Sequence, residues 1–539
     1  MIYLTGSMII IGIVLLVCIF ANKLFYRLGV PTLLVFLVLG ILFGSEVTNI
    51  IYFDNYDLAL KICSIALLFI MFQGGFSTNL KMAKPVAFPS LLLSTLGVLI
   101  TAVLTGLFCH LVMKITLAQG FLIGAIVSST DAASVFSILR SKKLNLKNNL
   151  ASLLEVESGS NDPMAYMLTL AAITWISGEA TGTIPVMILK QILLGALIGV
   201  LLGKASTWIL NKVNFEIDGL YPIFVGAIAV LTYAVCEMLG GNAYLAVYLA
   251  GLILGNGKIL HKRSLVRFFD GVSWLMQILL FFSLGLLCFP SMLPSVIIPG
   301  IMVSVFMILI ARPAAVFGIL SFFKIPVKQQ LFVSWVGLRG AASIAFAILA
   351  LTYNLNMKND IFHMVFLVAL FSVALQGTLV PFMAKKLDLV EDTSSVLKTF
   401  NDYAGDVKMI EMTIDEKSPW AGKTMAESGI PREMLVVMIA RNGKVVIPKG
   451  DTEILSGDVL VVSGNTFKGD SQAELIEIEL SQESEWIGRR ICEVDIPKEV
   501  LVVMIKRKGN TIVPNGNTKL REGDILVLSG CGEECKQNI

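Results

Sequence analysis

Residues Glu155, Val156, Glu157, Ser158, Gly159, Ser160, Asn161, Asp162 and Pro163 place three carboxylates, two hydroxyls and an amide inside a run, 149–177, that otherwise reads as a membrane-spanning helix. A charge at the centre of a bilayer costs roughly 2.5–3.5 kcal/mol on insertion scales, and an ion or solute pathway is the usual reason to bear that cost. Pro163 has no N–H, so the carbonyl of Gly159, four residues earlier, is left without its intrahelical partner. Ser158 and Thr130 add hydroxyl oxygens. Carboxylate, hydroxyl and carbonyl oxygens gathered at one point suit a hard, dehydrated monovalent cation.

Depth agrees with that chemistry. Asp162 stands fifteen residues beyond Lys147 and Asp131 nine residues before Arg140, about 22 Å and about 13 Å at 1.5 Å per residue. Two arginines, Arg312 and Arg339, occupy other apolar runs and offer structural pairing; Glu157 is expected to pair with Arg339. Two arginines do not neutralise Glu155, Glu157, Asp131 and Asp162 together. Asp162 is the acid left to titrate, and Glu155 is read as reaching the cytoplasmic funnel.

The elements that must hold these groups follow from composition. A chain of 539 residues, 56% hydrophobic and 15% charged, with mean hydropathy +0.80, is too apolar for a soluble enzyme and suits a polytopic membrane protein. Thirteen apolar runs of spanning length lie near 6–22, 30–45, 58–73, 87–113, 117–139, 149–177, 184–210, 219–238, 242–256, 270–289, 295–322, 328–352 and 361–384. Met1 to Thr5 lacks a basic segment, so the first run reads as a helix that stays rather than a cleaved signal. The spacing from Gly195 to Gly199 to Gly203 reads as helix packing, and the phenylalanine-rich run at Phe281 as lipid-facing. The eight cysteines show no zinc or disulfide spacing, and Cys531 and Cys535 read as free thiols.

Alternate connections carry eighteen basic residues, from Lys23 and Arg27 through Arg140, Lys142, Lys143 and Lys147 to Lys385 and Lys386. The opposite connections hold only Lys114 and Lys358, with Lys61 and Lys190 at helix edges. The positive-inside rule then puts the N-terminus outside and the C-terminus in the cytoplasm. If the seventh run is a linker, runs 1–6 and 8–13 enter the membrane from opposite sides, the signature of an inverted repeat. Runs 5 and 12 then correspond, and both are interrupted, by Ser128-Ser129-Thr130-Asp131 and by Gly337-Leu338-Arg339-Gly340. Crossed broken helices at matching positions point to a transport site.

Three motifs in order, Ser128-Ser129-Thr130-Asp131-Ala132-Ala133, Glu157 to Met164, and Gly337-Leu338-Arg339-Gly340-Ala341, resemble those of the cation:proton antiporter superfamily, and most closely its NhaP-like potassium/proton branch. The resemblance covers about residues 1–388. It implies a homodimer, with a dimerisation domain and a core that moves like an elevator. It also implies that Asp162 carries the ion or the proton, that Thr130, through side chain or backbone, and Ser158 are ligands, and that Asp131 and Asn161 hold the helix crossing. Gly159 joins this set through its carbonyl. Glu157 and Arg339 are implied as the structural ion pair, with Arg312 beside them. An Asn–Asp pair at Asn161–Asp162 goes, in that superfamily, with electroneutral exchange, and Pro163 favours the potassium over the sodium branch.

One carboxylate suffices for the mechanism. Desolvation penalises its bare charge, so it holds either a proton or a cation; if only the neutralised site crosses, exchange is obligatory. The expected activity is exchange of cytoplasmic potassium for external protons, one for one, in a plasma membrane of bacterial type, by a transporter and not an enzyme. Sodium/proton exchange is the alternative. A ligand-gated potassium channel is a further one, opposed by the absence of a T-V-G-Y-G-like filter. An intramembrane enzyme or sensor would need an acid on another helix to complete a dyad with Asp162, a role only Asp131 could fill. No nucleic acid is expected as a partner.

Beyond Lys386 the pattern becomes soluble and strand-rich. Residues 389–409 read as a linker, 410–468 and 469–539 as two copies of one small α+β domain. At an offset of 66 residues, Trp420 meets Trp486, Ile430-Pro431 meets Ile496-Pro497, Leu435-Val436-Val437-Met438-Ile439 meets Leu501-Val502-Val503-Met504-Ile505, and Gly457-Asp458 meets Gly523-Asp524. Each copy should run from a short helical stretch to an apolar strand, a turn at Gly443 or Gly509, a short strand and a last strand after Gly-Asp. Both resemble the C-terminal lobe of potassium-conductance regulators, the TrkA-C domain. That resemblance implies pairing of the copies, regulation, and a small ligand such as a nucleotide or cyclic dinucleotide in 410–539. No G-x-G-x-x-G is present, so no NAD or ATP site is expected, and no other cofactor.

Overall fold

The computed structural model describes the chain except residues 1, 29–30, 143, 179–180, 214, 218, 258, 260–261, 354, 356–359, 391–406, 416–417, 431–433, 442–443, 466–474, 481–483, 485, 495, 497–500, 508–509, 513, 515 and 530–539. Most of the expected linker, the turns at Gly443 and Gly509, and Cys531 and Cys535 therefore lie outside the described residues. Two compact units are present, Met1–Thr393 and Ser394–Ile539.

In the first unit helices occupy all thirteen expected positions. They are α1 Ile2–Leu28, α2 Thr32–Phe43, α3 Tyr56–Ser77, α4 Leu80–Met113, the broken pair α5 Leu117–Val127 and α6 Ala132–Ser141, and α7 Leu150–Ile176. Then follow α8 Ile184–Lys212, α9 Leu220–Met238, α10 Ala243–Asn256, α11 Lys262–Leu286, α12 Pro290–Phe323, the broken pair α13 Val327–Trp335 and α14 Ala341–Thr352, and α15 Ile361–Lys386. Among the described residues nine helices are long and apolar enough to cross a membrane. The polar centre of α7 and the brevity of α2, α10 and α14 account for the difference.

Local chemistry sets the helix ends. Asn55 accepts from the Leu58 amide at 2.9 Å, Thr116 and Gln119 close a capping box at the start of α5, Asn242 caps α10 by accepting from Leu245 at 3.0 Å, and Asp360 caps α15 through the His363 amide at 3.1 Å. α5 stops where Ser128 turns its hydroxyl back to the Ala125 carbonyl at 2.7 Å, a local bond that competes with the helix. Three π-helical turns interrupt long helices at Leu93–Gly97, Met307–Ala311 and Ser372–Gly377.

The helices pack in two groups. α4, α5, α7, α12, α14 and α15 pack together around the broken helices, while α3 packs on α10 and α11, α8 on α10, and α11 on α2. Side chains added at Gly199 or Gly203 would strike the backbone of Ala246 or Ala250, so the small-residue stripe of α8 does seat α10. α1 turns Met8, Ile9, Leu16 and Phe20 outward, as a lipid-facing helix must. The expectation for Phe281 is corrected: Phe281 and Phe282 are buried, because α11 packs closely on α2, with Gly285 against Gly40, and Phe43 meets the Phe282 ring edge-on at 5.9 Å.

The second unit holds two four-stranded antiparallel sheets. The first contains β1 Val407–Thr413, β2 Met434–Arg441, β3 Lys444–Val446 and β4 Val459–Asn465; the second contains β5 Leu475–Glu479, β6 Leu501–Arg507, β7 Asn510–Ile512 and β8 Ile525–Ser529. Strand orders are β1-β4-β2-β3 and β5-β8-β6-β7, the same topology twice. Both carry an irregularity at the matching step, Val436/Met438 and Val502/Met504. Each sheet is locked by an arginine gripping the Gly-Asp aspartate: Arg441 Nε and Nη2 reach Asp458 at 2.8 and 2.7 Å, and Arg507 repeats the fork on Asp524 at 2.6 Å twice.

Two details differ from expectation. Before Ile430 the described residues form turns, and before Ile496 turns and one 3₁₀ turn, Ile491–Glu493, because Gly422 and Gly488 adopt φ of +74° and +81° and stop a helix. β1 begins at Val407, inside the segment read as linker. At that segment's other end, Leu389 accepts from the Lys147 amide at 2.9 Å, and Val390 pairs with Leu146.

Candidate cation and proton site

The two broken helices meet at their interruptions. The Asp131 amide donates to the Leu338 carbonyl at 2.8 Å, tying one gap to the other. Asp131 also caps α6, accepting from the Ser134 amide at 3.1 Å and hydroxyl at 2.6 Å. A Cβ on Gly340 would lie 2.8 Å from the Asp131 carboxyl carbon, so Asp131 sits between the N-terminal ends of α6 and α14. Both ends carry partial positive charge, which a carboxylate offsets.

Arg339 does the converse. Its Nη1 donates to the Ser128 and Ser129 carbonyls at 2.7 and 2.8 Å, closing the C-terminal end of α5. Its amide is held by the Ser372 hydroxyl at 3.0 Å, which in turn donates to Gln376 at 2.5 Å. Gln376 returns a bond to the Trp335 carbonyl at 2.8 Å. The π-helical turn of α15 thereby clasps the break between α13 and α14.

The expected partnership of Glu157 is corrected on this geometry. Arg312 Nη2 lies 2.5 Å from Glu157 Oε1, with both side chains buried. Among the described residues Arg339 forms no ion pair with Glu157, its Nη1 being engaged by carbonyls, and the π-helical turn just before Arg312 sets where its side chain leaves α12. Sequence separation alone does not distinguish the two arginines.

α7 crosses beside this junction and continues through Pro163. Ser158 donates to the Thr130 carbonyl at 2.8 Å and accepts from the Ala132 amide at 3.0 Å. Asn161 donates to the Thr130 hydroxyl and, at 3.4 Å, to its carbonyl. Asp162, 8% exposed, receives the Ser129 hydroxyl on Oδ1. Among the described residues no lysine or arginine forms an ion pair with it. Thr130, Asp131, Ser158, Asn161 and Asp162 are therefore brought together; Glu157, Arg312 and Arg339 brace the same junction. Glu155 is half-buried on α7.

Five contributors were not among the expected ligands. Ser129 lies within a motif that offers three adjacent hydroxyls, and only the fold selects it for Asp162. Ser372 and Gln376 lie on a helix without acid or arginine. Tyr248 of α10 presses its ring over Gly159, where a Cβ would be 2.8 Å from Cζ. Asn242, at the start of α10, donates to the Pro163 carbonyl at 2.8 Å. No group of three His, Cys, Asp or Glu is placed to hold a resident metal ion among the described residues.

Residues 12–386 match the family described as "Sodium/hydrogen exchanger, transmembrane". The chain belongs to this sodium/hydrogen exchanger family. It is a multi-pass membrane protein and a monovalent cation:proton antiporter. Residues 409–466 and 475–536 each match the TrkA-C domain. The "K(+)/H(+) antiporter NhaP" of Alkalimonas amylolytica is 34% identical over 464 residues, 85% of this chain and 80% of the relative. The "K(+)/H(+) antiporter NhaP2" of Shewanella baltica is 34% identical over 469 residues, 85% and 81% of the two chains. The solved structure of the sodium proton antiporter MjNhaP1 from Methanocaldococcus jannaschii superposes with TM-score 0.63 at 26% identity, covering 71% of this chain and 99% of the other.

Proposed function

We propose that this exchanger trades cytoplasmic potassium for external protons, one for one, at Asp162. The observation that carries the reading is a buried carboxylate with no basic partner among the described residues, beside two buried arginines already engaged by Glu157 and by backbone carbonyls. A proton and a dehydrated cation are the two ways to neutralise it. Thr130, Ser158 and the Gly159 carbonyl supply further oxygens, and Asp131 and Asn161 keep the junction in register. The names of the bacterial relatives support potassium.

The two packing groups support a reading of alternating access. The site sits in the group built on the broken helices, and its loaded, neutral form crosses against the group of α3, α8, α10 and α11 in an elevator-like movement. We read the protein as a homodimer in a bacterial plasma membrane, with the N-terminus outside and the tandem domains in the cytoplasm. Those domains regulate exchange, through a small ligand of nucleotide or cyclic-dinucleotide type.

Purified protein in liposomes with an internal pH dye tests this. Potassium-driven proton movement, insensitive to a clamped membrane potential and lost in Asp162→Asn, is the expected result. The sodium reading is supported by the archaeal structure, and a response to sodium alone would replace potassium by it. Flux surviving in Asp162→Asn would overturn the site. Removing residues 394–539 should preserve basal exchange and abolish its response to cytoplasmic nucleotides.

A further inference from the structure

A cavity of about 80 Å³ lies between α3, α7, α9, α10 and α14, lined among others by Ser64, Tyr166, Tyr233, Glu237, Tyr244 and Phe346. Tyr166 follows Asp162 by four residues on α7, one helical turn, or about 6 Å along the axis. The cavity therefore begins one turn from the carboxylate, on the side away from the basic connections. Its wall carries rings set edge-on or tilted to one another: Tyr166 to Tyr244 at 5.1 Å, Tyr166 to Phe346 at 5.8 Å and Tyr233 to Tyr244 at 5.5 Å. Glu237, the penultimate residue of α9, is exposed at the rim.

We propose that this cavity is a second site for a monovalent cation, partly hydrated, on the path between Asp162 and the face opposite the basic connections. The Glu237 carboxylate supplies the charge, and the hydroxyl oxygens of Tyr233, Tyr244 and Ser64 replace part of the water shell. The tyrosine faces add attraction for a cation shedding water. Packing alone would fill such a space with apolar groups and needs no acid at its rim. Lys190 is the basic group of this rim, its Nζ resting against Gly240; no ion pair joins it to Glu237 among the described residues. The site thus carries an acid able to collect cations and a lysine that opposes it. Such an acid at the rim raises the local cation concentration.

What the site is for rests on the exchange reading, so the test has two parts. In liposomes of sorted orientation, Glu237→Gln in the full chain should raise the half-saturating potassium concentration about three- to tenfold from the face opposite the basic connections. It should leave the other face and the maximal rate unchanged, and Lys190→Ala should shift the same face the other way. Equal shifts at both faces, or none, would overturn the proposal. Separately, rubidium binding to purified Asp162→Asn protein should persist and disappear in Asp162→Asn/Glu237→Gln; absence of binding in the single variant would sink the second site. Rubidium binding to Asp162→Asn, with no exchange by the wild type, would uphold this site while removing the exchange reading.

Discussion

The Glu157 carboxylate and the Arg312 guanidinium stand 2.5 Å apart inside the membrane unit, and this pair leaves Arg339 free to close the end of α5. Breaking a buried pair from one side strands the other charge, at a cost of roughly 3–5 kcal/mol. Arg312→Gln should therefore lower the melting temperature of the full chain in detergent more than Glu157→Gln/Arg312→Gln does. The same cycle run with Arg339→Gln should show no such recovery. Recovery with Arg339 instead would reverse the assignment.

Ser129, rather than Thr130, touches the Asp162 carboxylate. A hydrogen bond to a charged group contributes roughly 1.5–3 kcal/mol. Ser129→Ala should weaken apparent cation affinity by about tenfold or more while exchange continues, whereas Asp162→Asn should end it. Flux titrations with potassium on a folded variant check this; an unchanged half-saturation would remove Ser129 from the site.

At Gly159, α7 lies close against the Tyr248 ring. A methyl group there overpacks the contact, typically by about 1–3 kcal/mol. Gly159→Ala should slow turnover, and adding Tyr248→Ala should restore part of it by removing the obstructing ring. Turnover unaffected by the alanine would mean that the ring is not confined.

The tandem domains should be acid-sensitive in a defined direction. The Arg441 hydrogen bonds hold the Asp458 carboxyl below its usual range. At Asp524 burial pushes the other way, and the Arg507 and Arg521 bonds overcome it. A carboxyl lowered in the folded state adds stability that is complete above its unfolded value, about 3.9, and is lost as pH falls through the folded value. Hydrogen exchange of β2, β4, β6 and β8 in the full chain should thus accelerate only below about pH 4. Asp458→Asn should accelerate exchange in the first sheet at neutral pH and blunt its acid step; a wild-type step near pH 6 would point to another group.

The thirteen helical positions, the two breaks and the tandem repeat were legible in the chain because each rests on local chemistry. Apolar run length, glycine and hydroxyl clusters that compete with a helix, and repetition at a fixed offset need no knowledge of neighbours. The same is true of Asp162, since a carboxylate deep in an apolar run announces its cost wherever it folds. Partner choice is a different kind of question. Arg312 and Arg339 are chemically identical candidates for Glu157, Ser129 and Thr130 for Asp162, and an apolar run such as that at Phe281 can face lipid or another helix. Those choices depend on the azimuth at which a side chain leaves its helix, and a single π-helical turn, as before Arg312, resets that angle. Tertiary packing alone decided them, together with the approach of Tyr248 to Gly159 and the tyrosine-lined cavity beyond Asp162.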